Sequence, residues 1–108
     1  PRQHPYDRAM VRHVVTFRWA DGVDDAAIER VERALGTLPS TIPSIRRYAF
    51  GRDLGINPGN ADFVVVADFD DEAGYLAYRD DPTHQEVIAR DILPIVGERV
   101  AVQYAFEG

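Results

Sequence analysis

The hydrophobic pattern changes period along the chain, and the changes mark the elements. Residues 11–19 alternate, with Val11, His13, Val15, Phe17 and Trp19 on one parity and Arg12, Val14, Thr16 and Arg18 on the other. Alternation in a run rich in β-branched and aromatic residues predicts a strand. Asp21-Gly22 is a turn signal. From Asp24 or Asp25 the period lengthens. Ile28, Val31, Leu35 and Leu38 recur at helical spacing, so a helix is expected to about Leu38. Glu29, Arg30, Glu32 and Arg33 form its solvated side, and Pro39 and Pro43 are expected to bracket the exit loop.

Residues 44–53 read as a second strand with Tyr48 and Phe50 on one parity. Residues 54–60, with two glycines, two asparagines and a proline, predict a long turn. No helix with a positive residue follows, so it is not a phosphate loop. Residues 61–69 form a third strand: Phe63, Val65, Ala67 and Phe69 point one way, Val64 and Val66 the other, flanked by Asp62 and Asp68. A helix from Asp70 or Asp71 carries Tyr75, Leu76 and Tyr78 and restarts at Pro82, with Val87, Ile88 and Ile92 inward. Residues 98–106 are the last strand, with Val100, Val102, Tyr104 and Phe106 on one parity.

The order β-α-β-β-α-β predicts an α+β, ferredoxin-like domain: a four-stranded antiparallel sheet with both helices on one face. The fully apolar parities, that of the last strand included, are expected to face the helices. The other parity mixes Val14, Thr16, Ala49, Val64, Val66 and Ala101 with Arg12, Arg18, Arg47, Asp62, Asp68 and Gln103. That face is too apolar for solvent and too charged for a dry core. A second copy related by a two-fold axis would cover it and bring arginines to aspartates, so a homodimer through the sheet faces is expected.

Composition narrows the function classes. At 108 residues one domain is the default. Residues 1–10 read as an arm without the hydrophobic region of a secretory signal, and residues 11–107 as the domain, with the cytoplasm as default location. A net charge of −6 argues against nucleic-acid and anionic-membrane binding. All 12 basic residues are arginine, and the absence of cysteine removes disulfides, thiolate catalysis and cysteine metal sites. No apolar run approaches the roughly 20 residues needed to span a bilayer.

The stretch Tyr75-Leu-Ala-Tyr78-Arg-Asp-Asp-Pro82-Thr-His84 carries the candidate chemistry. Asp81 can cap a helix and Pro82 suits its first position, which puts His84 at about the third. The positive end of the helix dipole favours a neutral imidazole there. If the chain bends at Pro82, Tyr78 and His84 converge. His13 lies on the strand face below, among Val15, Phe17, Phe63 and Val65. With Tyr75 and Ile88 these define an apolar pocket with few polar groups, fit for a small apolar or aromatic ligand. His84, with an unperturbed pKa of about 6.5, would be the general base, and Tyr78 the donor to a developing enolate oxygen. His13 reads as a hydrogen-bonded core residue rather than a base, and His4 as tail. Arg46, Arg52 and Arg79 read as surface arginines, with carboxylate binding as the alternative. No metal is expected: His13, His84 and Asp91 are conceivable ligands without a spacing motif. No haem or flavin motif is visible, so no cofactor is expected.

Three stretches resemble the stress-responsive A/B-barrel (Dabb) family: Arg12-His-Val-Val-Thr-Phe-Arg18, Asp62-Phe-Val-Val-Val-Ala-Asp-Phe69 and, most specifically, Tyr75 to His84 with its Pro-x-His ending. The resemblance covers nearly all of residues 11–106. It implies a dimeric α/β barrel. Family members range from stress-induced proteins to a polyketide cyclase that closes a ring by aldol condensation. In that cyclase type a tyrosine and a histidine at the positions of Tyr78 and His84 are the catalytic pair, and a histidine at that of His13 lines the cavity. The resemblance therefore implies a cyclase or lyase-type enzyme with a Tyr/His acid–base pair. A non-catalytic stress protein and a cofactor-free monooxygenase or isomerase of the same superfamily are the alternatives.

Overall fold

Alternation of side chains in β1 (Met10–Trp19) sets the layout, because the strand lies in the middle of the sheet. The computed structural model describes residues 9–108. After β1 come α1 (Asp25–Thr41), β2 (Ile45–Arg52), β3 (Phe63–Phe69), α2 (Glu72–Asp80), α3 (Pro82–Val87) and β4 (Val96–Phe106). The sheet order is β2-β3-β1-β4, with every neighbouring pair antiparallel. This is the expected ferredoxin-like α+β arrangement. Residues 1–8, most of the expected arm and His4 with it, lie outside the described residues. Met10 already belongs to β1, opposite Phe106.

The core forms between the helices and one sheet face. From β1 and β3 it takes Val15, Phe17, Phe63, Val65, Ala67 and Phe69, and from α1 it takes Val31, Leu35 and Leu38. Asp24 caps α1 by accepting from the Ala27 amide at 2.9 Å. The helix does not stop at Pro39 as the sequence pattern predicts; it runs on to Thr41 with Pro39 exposed. Hydroxyls support this last stretch. Thr37 bonds the Ala34 carbonyl at 2.7 Å, and Ser40 and Thr41 bond that of Thr37 at 3.1 and 2.9 Å. The Ile42 amide closes the end on Leu38 at 2.9 Å.

The last strand corrects an expectation. The apolar parity of β4 faces away from the helices: Val100 is 61%, Val102 55% and Tyr104 43% exposed. The register explains this. Residues directly opposite in an antiparallel pair share a face. Val102 stands opposite Val14, and Tyr104 opposite Arg12, on the open face. Gln103 stands opposite His13, and Arg99 opposite Phe17, on the helix side. The parity carrying Ala101 and Gln103, expected on the open face, is therefore the inner one. The strand also starts at Val96, two residues before the expected Glu98.

The open face thus carries Val14, Thr16, Val64, Val66, Val100, Val102 and Tyr104. Arg12 meets an aspartate within its own chain. Its Nε and Nη2 donate to both oxygens of the buried Asp68 carboxylate at 2.7 and 2.9 Å. The guanidinium also lies over the Phe106 ring, 4.2 Å from the centroid, and Nη1 donates to Tyr104 Oη at 3.3 Å. Among the described residues no helix is long and apolar enough to cross a membrane.

Candidate functional site

The second helical stretch is broken twice, and the breaks shape a cavity. Helical conformation is disfavoured for the residue before a proline, and Asp81 is extended, with φ −62° and ψ 130°. α2 therefore ends at Asp80 and α3 restarts at Pro82. The Asp81 carboxylate accepts from the amides of Thr83 at 2.8 Å and His84 at 3.2 Å. After Val87 the chain makes one π-helical turn, Ile88–Ile92, marked by the Leu93 amide bonding the Ile88 carbonyl at 2.9 Å. Such turns carry an extra residue and recur at functional sites.

Between these segments and the sheet lies a cavity of about 330 Å³, near the small end of the range for small-molecule sites. His13, Val15 and Phe17 of β1 and Val65 of β3 form its floor. Tyr75, Tyr78, His84 and Ile88 form its roof. Of the residues read from the sequence as a site, only Phe63 stays out of it. Phe63 stands opposite the floor residue Phe17 but packs between Trp19 and Phe50, with ring centroids 5.5 and 6.2 Å away.

The rings of Tyr78 and His84 are 4.0 Å apart, centroid to centroid, and His13 lies 6.0 Å from Tyr78 and 5.1 Å from Tyr75. All three site residues are buried: Tyr78 is 3%, His13 4% and His84 8% exposed. His84 Nδ1 lies 3.3 Å from the Arg79 carbonyl. A carbonyl only accepts, so Nδ1 carries the proton and Nε2 keeps its lone pair. His13 is held in the opposite tautomer. Its Nδ1 lies 2.9 Å from the Gln103 side-chain nitrogen, which only donates, so the proton of His13 sits on Nε2. The cavity wall thus holds one imidazole acceptor and one imidazole donor.

Burial keeps these groups neutral. It lowers the His13 pKa to about 4, with the nearby Arg99 and His84 adding to the effect. His84 is also lowered, first by burial, while the Arg79 carbonyl opposes the shift. Burial pushes Tyr78 up to about 12. Tyr48 goes well above the ordinary tyrosine range, through burial and then its neighbour Tyr78. The two phenols are bonded to each other at 3.1 Å.

Tyr48, Gln103 and Arg99 carry no motif that marks them as site residues. Tyr48 sits on an edge strand, and Gln103 and Arg99 on a parity that looks outward in the sequence. Cross-strand register places them: Tyr48 stands opposite Ala67 of β3, and Gln103 and Arg99 stand opposite His13 and Phe17 of β1. Among the described residues no three His, Asp or Glu side chains gather to hold a metal ion.

A four-stranded ferredoxin-like sheet whose helix side encloses an apolar cavity with paired phenol and imidazole groups defines the class. The chain belongs to the stress responsive A/B barrel domain family (Dabb), whose sequence model matches residues 11–106. It is similar to a dimeric ferredoxin-like protein of unknown function from Thermobifida fusca. The two share 45% identity with a TM-score of 0.85, over 96% of this chain and 97% of that one. A dimeric protein of unknown function from Bacteroides fragilis is 25% identical with a TM-score of 0.78, over 90% of this chain and 96% of that one. The hydroxynitrile lyase of Passiflora edulis shares the fold at 21% identity and a TM-score of 0.81, over 93% of this chain and 95% of that one. No curated protein matches the chain significantly.

Proposed function

We propose that the protein is a homodimer packed through its open sheet faces, and that each subunit's cavity converts a small apolar or aromatic carbonyl compound by lyase-type or cyclase-type chemistry. The reading rests on one observation above all. The rings of Tyr78 and His84 lie 4.0 Å apart on the wall of an apolar cavity, with His84 held as the Nδ1–H tautomer by the Arg79 carbonyl.

The roles follow from these protonation states. His84 Nε2 takes a proton from the carbon next to the ligand carbonyl. The electron pair moves to the carbonyl oxygen, which becomes an enolate. Tyr78 donates its hydroxyl hydrogen to that oxygen, while the Tyr48 hydroxyl donates to Tyr78 and holds it in place. The enolate carbon then attacks a second carbonyl, the carbonyl at the first oxygen re-forms, and the new alkoxide takes the proton held on His84 Nε2, as in an aldol closure; the same sequence in reverse cleaves a carbon–carbon bond. A lyase on the same fold in Passiflora edulis supports the reaction class, not the substrate. The dimeric relatives support the assembly.

The test is proton exchange. Methyl 4-acetylbenzoate in deuterium oxide is expected to exchange its acetyl hydrogens faster with the protein than without it. His84→Ala should lose at least about a hundredfold of that rate, the usual scale of a positioned base. Exchange that survived in both His84→Ala and Tyr78→Phe would overturn the roles.

A further inference from the structure

The charge on the cavity wall runs against the charge of the chain. The sequence has 18 acidic residues and a net charge of −6. Among the described residues, no Asp or Glu lines the cavity. His13, His84, Tyr48 and Tyr78 are neutral there, which leaves Arg79 and Arg99 as its only charges. The Arg79 guanidinium is taken by Asp80, with bonds of 2.9 and 3.2 Å. Arg99 has no carboxylate within ion-pair distance and no side-chain hydrogen bond among the described residues. It nevertheless stands directly opposite Phe17, so it rises on the helix side of the sheet and lines the cavity from the exposed edge strand.

From these observations we propose that the compound this cavity takes carries a carboxylate, and that Arg99 binds it at the solvent edge. An arginine fork matches a carboxylate bidentately, and the bond strengthens where apolar walls exclude water. The inference rests on the reading of the cavity as a ligand site and names the substrate class. Geometry also sets the length of the compound. His13 and Phe17, which face Gln103 and Arg99, are four residues apart on β1. At about 3.3 Å per residue their separation is roughly 13 Å. The arginine side chain covers part of that span. The remainder is about one aromatic ring or a short aliphatic chain, between an acid group at Arg99 and a carbonyl beside Tyr78 and His84. Arg99 is a binding residue in this scheme and takes no part in proton transfer.

The experiment compares 4-acetylbenzoate with its neutral methyl ester. Both are titrated into the full chain while the ring protons of His13 and His84 are followed by NMR. The acid is expected to bind at least about tenfold more tightly, with an advantage that shrinks as salt is added. Arg99→Gln should abolish the advantage and Arg99→Lys should keep part of it. Arg30→Gln, an equal loss of charge on the outer side of α1, should leave it intact. Equal affinities for acid and ester, or an advantage that persists in Arg99→Gln, would overturn the proposal while leaving His84-dependent exchange of both compounds untouched. Acid binding that depends on Arg99 without any His84-dependent exchange would instead remove the catalytic reading and keep the anion site. Failure of both compounds to shift either histidine would remove both.

Discussion

The rings of Tyr78 and His84 touch at 4.0 Å, tilted by 31°, although they are six residues apart in the chain. In an unbroken helix of 3.6 residues per turn, positions six apart point away from each other. The pair meets because Asp81 is extended and Pro82 starts a new helix. Asp81 both ends α2 and caps α3, so it positions the imidazole without touching a ligand. Asp81→Ala should cost about 1 kcal/mol in chemical denaturation. It should also loosen the ring contact, seen as a weaker nuclear Overhauser effect between Tyr78 and His84. Asp81→Asn, which still accepts hydrogen bonds from the two amides, should restore most of both.

Tyr48→Phe should separate support from chemistry. The substitution removes the hydroxyl that bonds Tyr78 at 3.1 Å and leaves a buried phenol with one partner fewer. A loss of about 1 kcal/mol of stability is expected. That hydrogen bond favours ionised Tyr78, so its pKa should rise further without it. Ligand affinity should change little while turnover falls. A spectrophotometric titration of the tyrosines and a steady-state comparison read the two effects.

The two histidines give stability a defined pH dependence. Both have folded-state pKa values below the ordinary 6.5, and His13 lies at about 4. The unfolded chain therefore binds more protons than the folded one between these values. The stabilising effect of neutral burial is present above pH 6.5 and is lost as pH falls from there towards 4. For His13 this is on the order of 3 kcal/mol. Urea midpoints at pH 7.5 and 4.5 should show the drop, and His13→Gln should reduce it. The acid limb of activity should likewise lie below the ordinary histidine pKa, because His84 must be neutral to act as a base.

Val102→Asp tests the assembly. Val102 is 55% exposed on the open face, opposite Val14. In a lone subunit an aspartate there would be solvated and nearly neutral in cost. In a sheet-to-sheet dimer it would be an unpaired charge in an apolar contact, which is strongly unfavourable. Light scattering coupled to gel filtration should show a dimer for the parent chain and a monomer for the variant.

The inner faces of β1 and β3 are legible in the sequence because every second residue but His13 is apolar, while the other parity carries the charges of Arg12, Arg18, Asp62 and Asp68. The meeting of Tyr78 and His84 follows from a local signal, Asp81-Pro82, that stops one helix and starts the next. The orientation of β4 does not follow. Its apolar parity resembles a core face, but the pairing with β1 puts Val100, Val102 and Tyr104 on the side of Thr16, Val14 and Arg12, the open side of the sheet. A hydrophobic pattern reports that a face is covered, not what covers it. Tyr48, Gln103 and Arg99 are hidden for the same reason, since only cross-strand register brings them to the cavity. The extension of α1 past Pro39 rests on hydroxyl-to-carbonyl bonds that no apolar period records, and the π-helical turn at Ile88–Ile92 leaves no mark in composition.

β1 serves two masters at alternate positions. His13, Val15 and Phe17 look into the cavity, while Arg12, Val14 and Thr16 look toward the open side. Inserting or deleting one residue in this strand would exchange the two sets, so that the imidazole emerged on the outside and an arginine pointed under the helices. Length changes are therefore barred from β1, whereas single replacements can alter the cavity wall and the open face separately, one codon apart.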